Sequence, residues 1–104
     1  MASNNSPSIE QAISHHDAAF LRFFNPDYFI TRNAAGELYV YSSEPVYRLD
    51  GEWFTELSSR CLNLKRYMPK VKVDLGIVTW ESAPWRIGDL LSLEEERIPW
   101  GRYV

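Results

Sequence analysis

The run His15-His16-Asp17 contains the residues whose types could most readily do chemistry. Imidazole and carboxylate groups bind metals, but chelation from one face of a helix needs ligands three or four positions apart. Four positions after the two histidines the chain has Ala19 and Phe20, which bind no metal. We therefore interpret both histidines as half-buried helix residues and predict no metal site.

Cys61 is the single cysteine and the candidate thiol nucleophile. A reactive thiol needs a neighbouring base or cation that favours the thiolate, and no histidine is near it in the sequence. Its semi-apolar surroundings favour a buried structural thiol, and a lone cysteine is typical of a reducing compartment. The sequence also has no distinctive carboxylate pair and no glycine-rich phosphate loop. We therefore predict no enzyme activity and no cofactor.

A basic cluster combines four cations with one aromatic residue: Lys65, Arg66, Tyr67, Lys70 and Lys72. Such a combination can follow a nucleic-acid backbone and stack a base. A solvated loop surface is the more common meaning, and the whole chain is acidic, with a net charge of −3 and a pI of about 5.3. Nucleic-acid binding is therefore an alternative and not the favoured hypothesis.

An acidic run, Glu94, Glu95 and Glu96, lies towards the C-terminus. Most runs of this kind are simply solvated. A run that faces a basic groove on a partner would speed association more than it would increase affinity. We include these three residues in a predicted partner-binding surface.

Aromatic residues make up 14% of the chain, and four of them are tryptophans. Most should fill the core, but tyrosine and tryptophan also dominate binding hot spots because they bury much area with few torsions to freeze. The aromatic residues that we predict to bind a partner are Tyr39, Tyr41, Trp85 and Trp100.

A helix is the first element that must position these residues. Residues 1–6 are small and polar, so we predict disorder there and a single domain over 7–104. Ser6 can cap a helix that begins at Pro7. Apolar residues then recur with helical spacing as far as Phe24, and the following Asn-Pro pair should end the helix.

Short strands separated by turn signals are predicted over 28–33, 38–42, 46–49 and 52–55. In the second strand Leu38 and Val40 should face the helix, whereas the tyrosines face the other way and are either covered by the C-terminal half or exposed. The Asp50-Gly51 pair predicts a tight hairpin.

The C-terminal half is less regular. Residues 60–67 fit either a strand or a helix, and the alternation over 71–75 predicts a strand, with a bulge at Gly76 and continuation through 77–80. Trp85 and Ile87 indicate a short extended piece, and 93–97 a last helical turn. The predicted fold is α+β: an N-terminal amphipathic helix packed on a small antiparallel meander of four to six strands, either open or closed into a barrel.

Several short motifs repeat a pattern found in small phage proteins. They are Thr31-Arg32-Asn33, Gly36-Glu37-Leu38-Tyr39-Val40-Tyr41, Glu44-Pro45, Gly51-Glu52-Trp53-Phe54, Met68-Pro69-Lys70-Val71 and Thr79-Trp80-Glu81-Ser82-Ala83-Pro84. Over about residues 28–84 the chain thus resembles uncharacterised phage and prophage accessory proteins. The resemblance implies a phage accessory origin and no particular reaction.

We expect a non-enzymatic protein–protein interaction module that binds, and can thereby inhibit, a host protein, including one of a defence system. The alternatives are a nucleic-acid-associated protein and a small structural or assembly protein of a virion, which would form homo-oligomers. The chain has no run of about 18 apolar residues and no secretory signal, so we predict no membrane partner and a place in the bacterial host cytoplasm.

Overall fold

The structure is a computed structural model that describes residues 12–55 and 60–94. Its helices are α1 (His15–Leu21), α2 (Leu64–Tyr67) and α3 (Ile87–Leu91). Its strands are β1 (Phe29–Arg32), β2 (Leu38–Tyr41), β3 (Tyr47–Leu49), β4 (Glu52–Phe54), β5 (Cys61–Asn63) and β6 (Trp85–Arg86). All pairs of these strands are antiparallel. The α+β class, with a helix ahead of the strands, is confirmed.

The strands form a four-stranded sheet in the order β5-β2-β1-β6 and a separate two-stranded sheet, β3-β4. A single continuous meander is therefore not formed, because β5 takes the edge of β2 that β3 was expected to occupy. The amide of Ser42 extends that pairing by donating to the carbonyl of Arg60 at 3.0 Å. Pro45, just before β3, has no amide hydrogen to donate to a ladder.

The β3-β4 hairpin turns at Asp50 and Gly51, whose φ angles are +53° and +81°. Two consecutive positive φ values are typical of the type I′ turn, so the predicted tight hairpin is confirmed. Its tip docks on the β1-β2 turn, where the amide of Ala34 donates to the carbonyl of Gly51 at 2.9 Å. The buried side chain of Asn33 strengthens this junction, since its Nδ2 donates to the carboxylates of Glu37 and Glu52.

The core lies between the helices and one face of the four-stranded sheet. Ile30 pairs with Val40 across β1 and β2, and both are buried with Leu38 on that face. They share one hydrophobic cluster with Leu21 of α1 and Leu90 of α3. The predicted contact between the helix and the Leu38–Val40 face is confirmed.

The prediction of one continuous helix from Pro7 is wrong, because Ile13 and Ser14 are not helical and α1 begins at His15. Ser14 is the N-cap, and its Oγ accepts the amide hydrogen of Asp17 at 3.0 Å. Ile13 is already extended, since its amide donates to the carbonyl of Leu93 and the residue forms a parallel bridge with Glu94. A capping serine and a backbone pairing thus override the apolar periodicity. The predicted disorder at 1–6 and the cap at Ser6 lie outside the described residues.

The predicted strand over 71–75, and its continuation to residue 80, is also wrong. Leu75 has a φ of +44°, which turns the backbone out of the extended region. The carboxylate of Asp17 binds the amides of Asp74 and Leu75, and the guanidinium of Arg32 donates to the carbonyls of Gly36, Asp74, Leu75 and Val78. Side chains therefore hold the backbone groups that a sheet would have paired.

Residues 60–67 combine both predicted alternatives, because β5 is followed directly by α2. The extended piece at Trp85 is confirmed as β6, whereas Ile87 already belongs to α3. The last described helix, α3, ends at Leu91. The helical turn predicted over 93–97 is not formed at Leu93 and Glu94, and its remaining residues lie outside the described part of the chain. Among the described helices none is long and apolar enough to cross a bilayer.

Candidate interaction surfaces

Glu94 belongs to an ion-pair cluster on the helix side of the protein. Its Oε2 is 2.5 Å from Nδ1 of His15, and its Oε1 accepts a hydrogen bond from the guanidinium of Arg22. The hydrogen bond to His15, with the one to Arg22, holds the pKa of Glu94 below its usual range. Glu94 is thus engaged within the chain, and Glu95 and Glu96, the rest of the predicted acidic run, lie outside the described residues.

The second histidine, His16, is exposed rather than half-buried, and its Nε2 lies 2.5 Å from the carbonyl oxygen of Lys72. The two neighbouring rings therefore serve different contacts, as their angular separation on a helix requires. Residues 12–55 and 60–94 contain no group of three His, Cys, Asp or Glu side chains placed to hold a metal.

Cys61 is exposed, so the prediction that it is buried is wrong. It opens β5 opposite Tyr41, whose hydroxyl lies against its sulfur. Partial burial of the thiol raises its pKa, and neither histidine is among the groups that affect it. A thiol with a raised pKa holds less of the nucleophilic thiolate at neutral pH. This environment does not activate the cysteine.

Of the aromatic residues predicted to bind a partner, only Tyr41 is fully buried among those that the structure describes. Tyr41 is buried, and its hydroxyl donates to the carbonyl of Trp53 in the hairpin at 3.2 Å. Burial, with smaller contributions that include Cys61, raises the pKa of Tyr41. Trp85 is half-buried in β6 against the core, and Trp100 lies outside the described residues. Tyr39 is half-buried, which leaves it partly accessible.

The outer side of the hairpin carries an exposed apolar surface, which we call the hairpin face: Tyr47, Leu49 and Phe54. The exposed fractions of these residues are 52%, 55% and 38%. Tyr47 and Phe54 are cross-strand partners whose rings stack with centroids 5.4 Å apart and planes 14° from parallel. Large apolar residues that share one face and remain in water are typical of binding surfaces.

The inner side of the hairpin is fixed to the domain by Arg48. Its guanidinium carbon lies 4.9 Å from the ring centre of Trp53 and 5.1 Å from that of Trp80. Its Nη1 also donates to the carbonyl of Trp80 at 2.6 Å. The two indoles meet edge to face with centroids 6.2 Å apart. An exposed cation over an indole contributes about 0.5–1 kcal/mol, so this contact braces the hairpin.

The second exposed surface is the predicted basic cluster, and its five residues, Lys65, Arg66, Tyr67, Lys70 and Lys72, are all exposed. Within the described ranges none of the four cations forms an ion pair. Four other arginines differ, since Arg22 and Arg86 pair with carboxylates, Arg32 binds carbonyls and Arg48 binds indoles.

A depression of about 410 Å³ lies beside this cluster. Its lining is Tyr39, Cys61, Leu62, Asn63, Arg66 and Tyr67. The structure thus brings Tyr39 of β2 next to Tyr67 of α2, because β5 pairs with β2 and leads directly into that helix. Sequence reasoning had placed the two tyrosines on different surfaces.

Sequence reasoning missed the hairpin face, although part of the signal was present. A two-residue turn at Asp50-Gly51 fixes the cross-strand pairs, so Tyr47, Leu49 and Phe54 had to share one side. The sequence does not indicate which side meets water, because that depends on Trp80, which is distant in the chain.

No protein-family model, curated protein or solved structure matches this chain. What defines it is therefore its α+β fold, with two exposed surfaces on the described residues. One is an apolar hairpin and the other is a basic cluster beside two tyrosines.

Proposed function

We propose that the protein is a non-enzymatic interaction module that binds a partner protein through the hairpin face. The observation that carries the proposal is the exposure of Tyr47, Leu49 and Phe54 together on one side of a small sheet. Burying such rings and aliphatic side chains against a partner would remove apolar area from water at about 25 cal/mol per Å².

The hairpin is suited to this role because its conformation is fixed before a partner arrives. Arg48 and the two indoles hold its inner side, and Asn33 holds its tip through Glu52. A preorganised surface binds with less loss of conformational entropy than a mobile one.

The charges around the face specify the partner's chemistry. Glu44, ahead of β3, and Asp50, directly after it, are exposed, while the guanidinium of Arg48 is held against Trp53 and Trp80. We therefore propose a partner surface with an apolar centre and lysine or arginine at its rim, because opposite charges at a rim steer association and orientation.

The motif resemblance supports a phage or prophage accessory protein that acts on a host protein in the bacterial cytoplasm. Inhibition of that protein, including one of a defence system, is the form of action that we propose. Neither histidine nor Cys61 has an environment that suggests catalysis, so the proposal assigns no reaction.

Affinity capture from bacterial lysate tests the proposal, with a tag at the N-terminus and mass spectrometry as the readout. The test variant is Tyr47→Ser with Leu49→Ser, and the matched control is Phe23→Ser, which alters a residue that is 77% exposed elsewhere. Wild type and control should retain one stoichiometric protein at high salt, and the test variant should lose it.

A second variant, Leu49→Lys, should also lose the captured protein. Because it changes a single exposed side chain, it should fold as wild type does, and circular dichroism checks this. Capture of the same proteins by all variants would refute the proposal. Recovery of only the protein itself would favour the structural, self-associating alternative.

A further inference from the structure

The lysines of this chain are concentrated in one place. All three, Lys65, Lys70 and Lys72, lie within eight residues, together with Arg66. Residues 57–73 contain five cations and no carboxylate, so the rest of the chain has six cations and fourteen carboxylates, a net charge of −8. The overall charge of −3 therefore hides a strongly positive segment in an otherwise acidic protein.

We infer that Lys65, Arg66, Lys70 and Lys72, with Tyr39 and Tyr67, form a binding site for single-stranded nucleic acid. These four cations would contact successive phosphates, and the depression lined by Arg66 and Tyr67 would receive a base. Tyr67 is 61% exposed, and it lines the depression with Tyr39, Asn63 and Arg66. Aromatic rings that stack bases beside cations that follow the backbone are the general arrangement for single strands.

The contacts of Asn63 and Arg66 fit this assignment. The Oδ1 of Asn63 caps α2 by accepting the amide hydrogen of Arg66 at 3.1 Å, which orients the amide group of Asn63. Its Nδ2 can then donate to a base edge or a phosphate. Arg66 has no carboxylate partner in the described part of the chain, so its guanidinium can bind phosphate in a bidentate way.

The presence of aromatic groups favours a nucleic acid over an acidic protein. A solvated cluster of lysines would serve an acidic protein equally well, but it would need no exposed ring beside it. The acidic remainder of the chain does not prevent binding, because charges separated by more than about 8 Å are largely screened at physiological ionic strength.

Fluorescence anisotropy with labelled 12-nucleotide dT and rU strands tests the site in the full chain, and a duplex of equal length serves as a comparison. Single strands should bind more tightly than the duplex. The logarithm of the affinity should fall with the logarithm of salt concentration with a slope of about −3, as expected for four phosphate contacts on a single strand. The dT and rU arms distinguish DNA from RNA as the natural ligand.

Charge-matched variants distinguish the effect of these particular lysines on affinity from the effect of the net charge. Changing Lys65, Lys70 and Lys72 to Gln lowers the net charge by three, and so does changing the exposed Ala12, Ala19 and Ala83 to Glu. The glutamine variant should lose at least tenfold in affinity, and the glutamate variant should lose much less. Equal losses in the two variants would overturn the inference.

Tyr67 provides the second discriminating pair. Tyr67→Phe keeps a ring for stacking and should bind as wild type does, whereas Tyr67→Leu should bind about tenfold more weakly. Failure of both single strands to bind at 50 mM salt would overturn the inference. Equal competition by polyglutamate, with no effect of Tyr67→Leu, would overturn it in favour of an acidic protein. None of these outcomes depends on the hairpin face.

Discussion

Asp17 holds the backbone of Leu75, which lies 58 positions later in the chain, by accepting its amide hydrogen at 2.9 Å. Both residues are buried, and the same carboxylate also accepts the amide hydrogen of Asp74 at 3.1 Å. A helix residue thereby fixes a loop in which Leu75 has a positive φ.

Asp17→Asn should destabilise the protein by about 1–3 kcal/mol, because one of the two backbone N–H groups would lose its acceptor and face an amide nitrogen instead. Urea unfolding followed by fluorescence measures this change. Asp89→Asn, at an exposed position, is the matched control and should cost less than about 0.5 kcal/mol. Equal effects of the two substitutions would contradict the assigned role of Asp17.

Arg48→Leu should loosen the hairpin, because it removes the cation between Trp53 and Trp80 and the hydrogen bond to the Trp80 carbonyl. We expect a loss of about 1–2 kcal/mol in unfolding free energy and a red shift of tryptophan emission. Arg48→Lys should lie between wild type and leucine, since it keeps the charge without the planar group. An unchanged emission spectrum in Arg48→Leu would show that the cation does not hold the indoles.

Acid stability should depend on Glu94. Its pKa is lowered in the folded protein by hydrogen bonds from His15 and Arg22. A carboxylate of this kind stabilises the fold above its unfolded pKa, about 4.3, and the contribution is lost as the pH falls through the lower folded value. Glu94→Gln should therefore lower Tm at pH 6 and should have little effect on Tm at pH 2.5.

Thermal melts between pH 2.5 and 7 test this dependence, and the exposed Glu44→Gln is the control. Parallel Tm curves for wild type and Glu94→Gln across that range would be inconsistent with the ion-pair cluster.

Cys61 should react in the native protein but slowly. The residue is exposed, yet partial burial of the thiol raises its pKa, so the thiolate is scarce near neutral pH. We expect labelling by a disulfide reagent without denaturant, more slowly than free glutathione at pH 8, with a rate that still rises above pH 9. A rate greater than that of glutathione would indicate an activated thiol instead.

Local patterns were enough to predict much of this fold. The alternation of Leu38 and Val40 placed the core face of β2 correctly, and the Asp50-Gly51 pair placed the hairpin turn. The sequence did not predict that β5 would pair with β2, because three residues carry too little periodicity to define a strand. Nor did it predict the loop after Val71, where alternation favoured a strand and two distant charges, Asp17 and Arg32, determined the backbone path instead.

The candidate surfaces also combine features that residue type reveals with features that only tertiary contacts determine. The sequence identified the basic cluster, since residue type alone reveals it. The sequence did not predict that the basic cluster lies beside Tyr39 or that Tyr47 is exposed, because both depend on tertiary contacts. The alternation of residues within β2 likewise does not indicate that Tyr41 contacts Trp53 of the hairpin.

The hydrogen bond between Ser42 and Arg60 has a consequence for how this protein can change. The chain leaves the main sheet at Ser42 and re-enters it at Arg60, so the hairpin is topologically an insertion between two neighbouring points of one scaffold. If the hairpin face binds the partner as we propose, replacing its outer residues would alter what the protein recognises and would leave the pairing of β2 with β5 in place. Specificity can therefore diversify at this site while the four-stranded sheet stays constant.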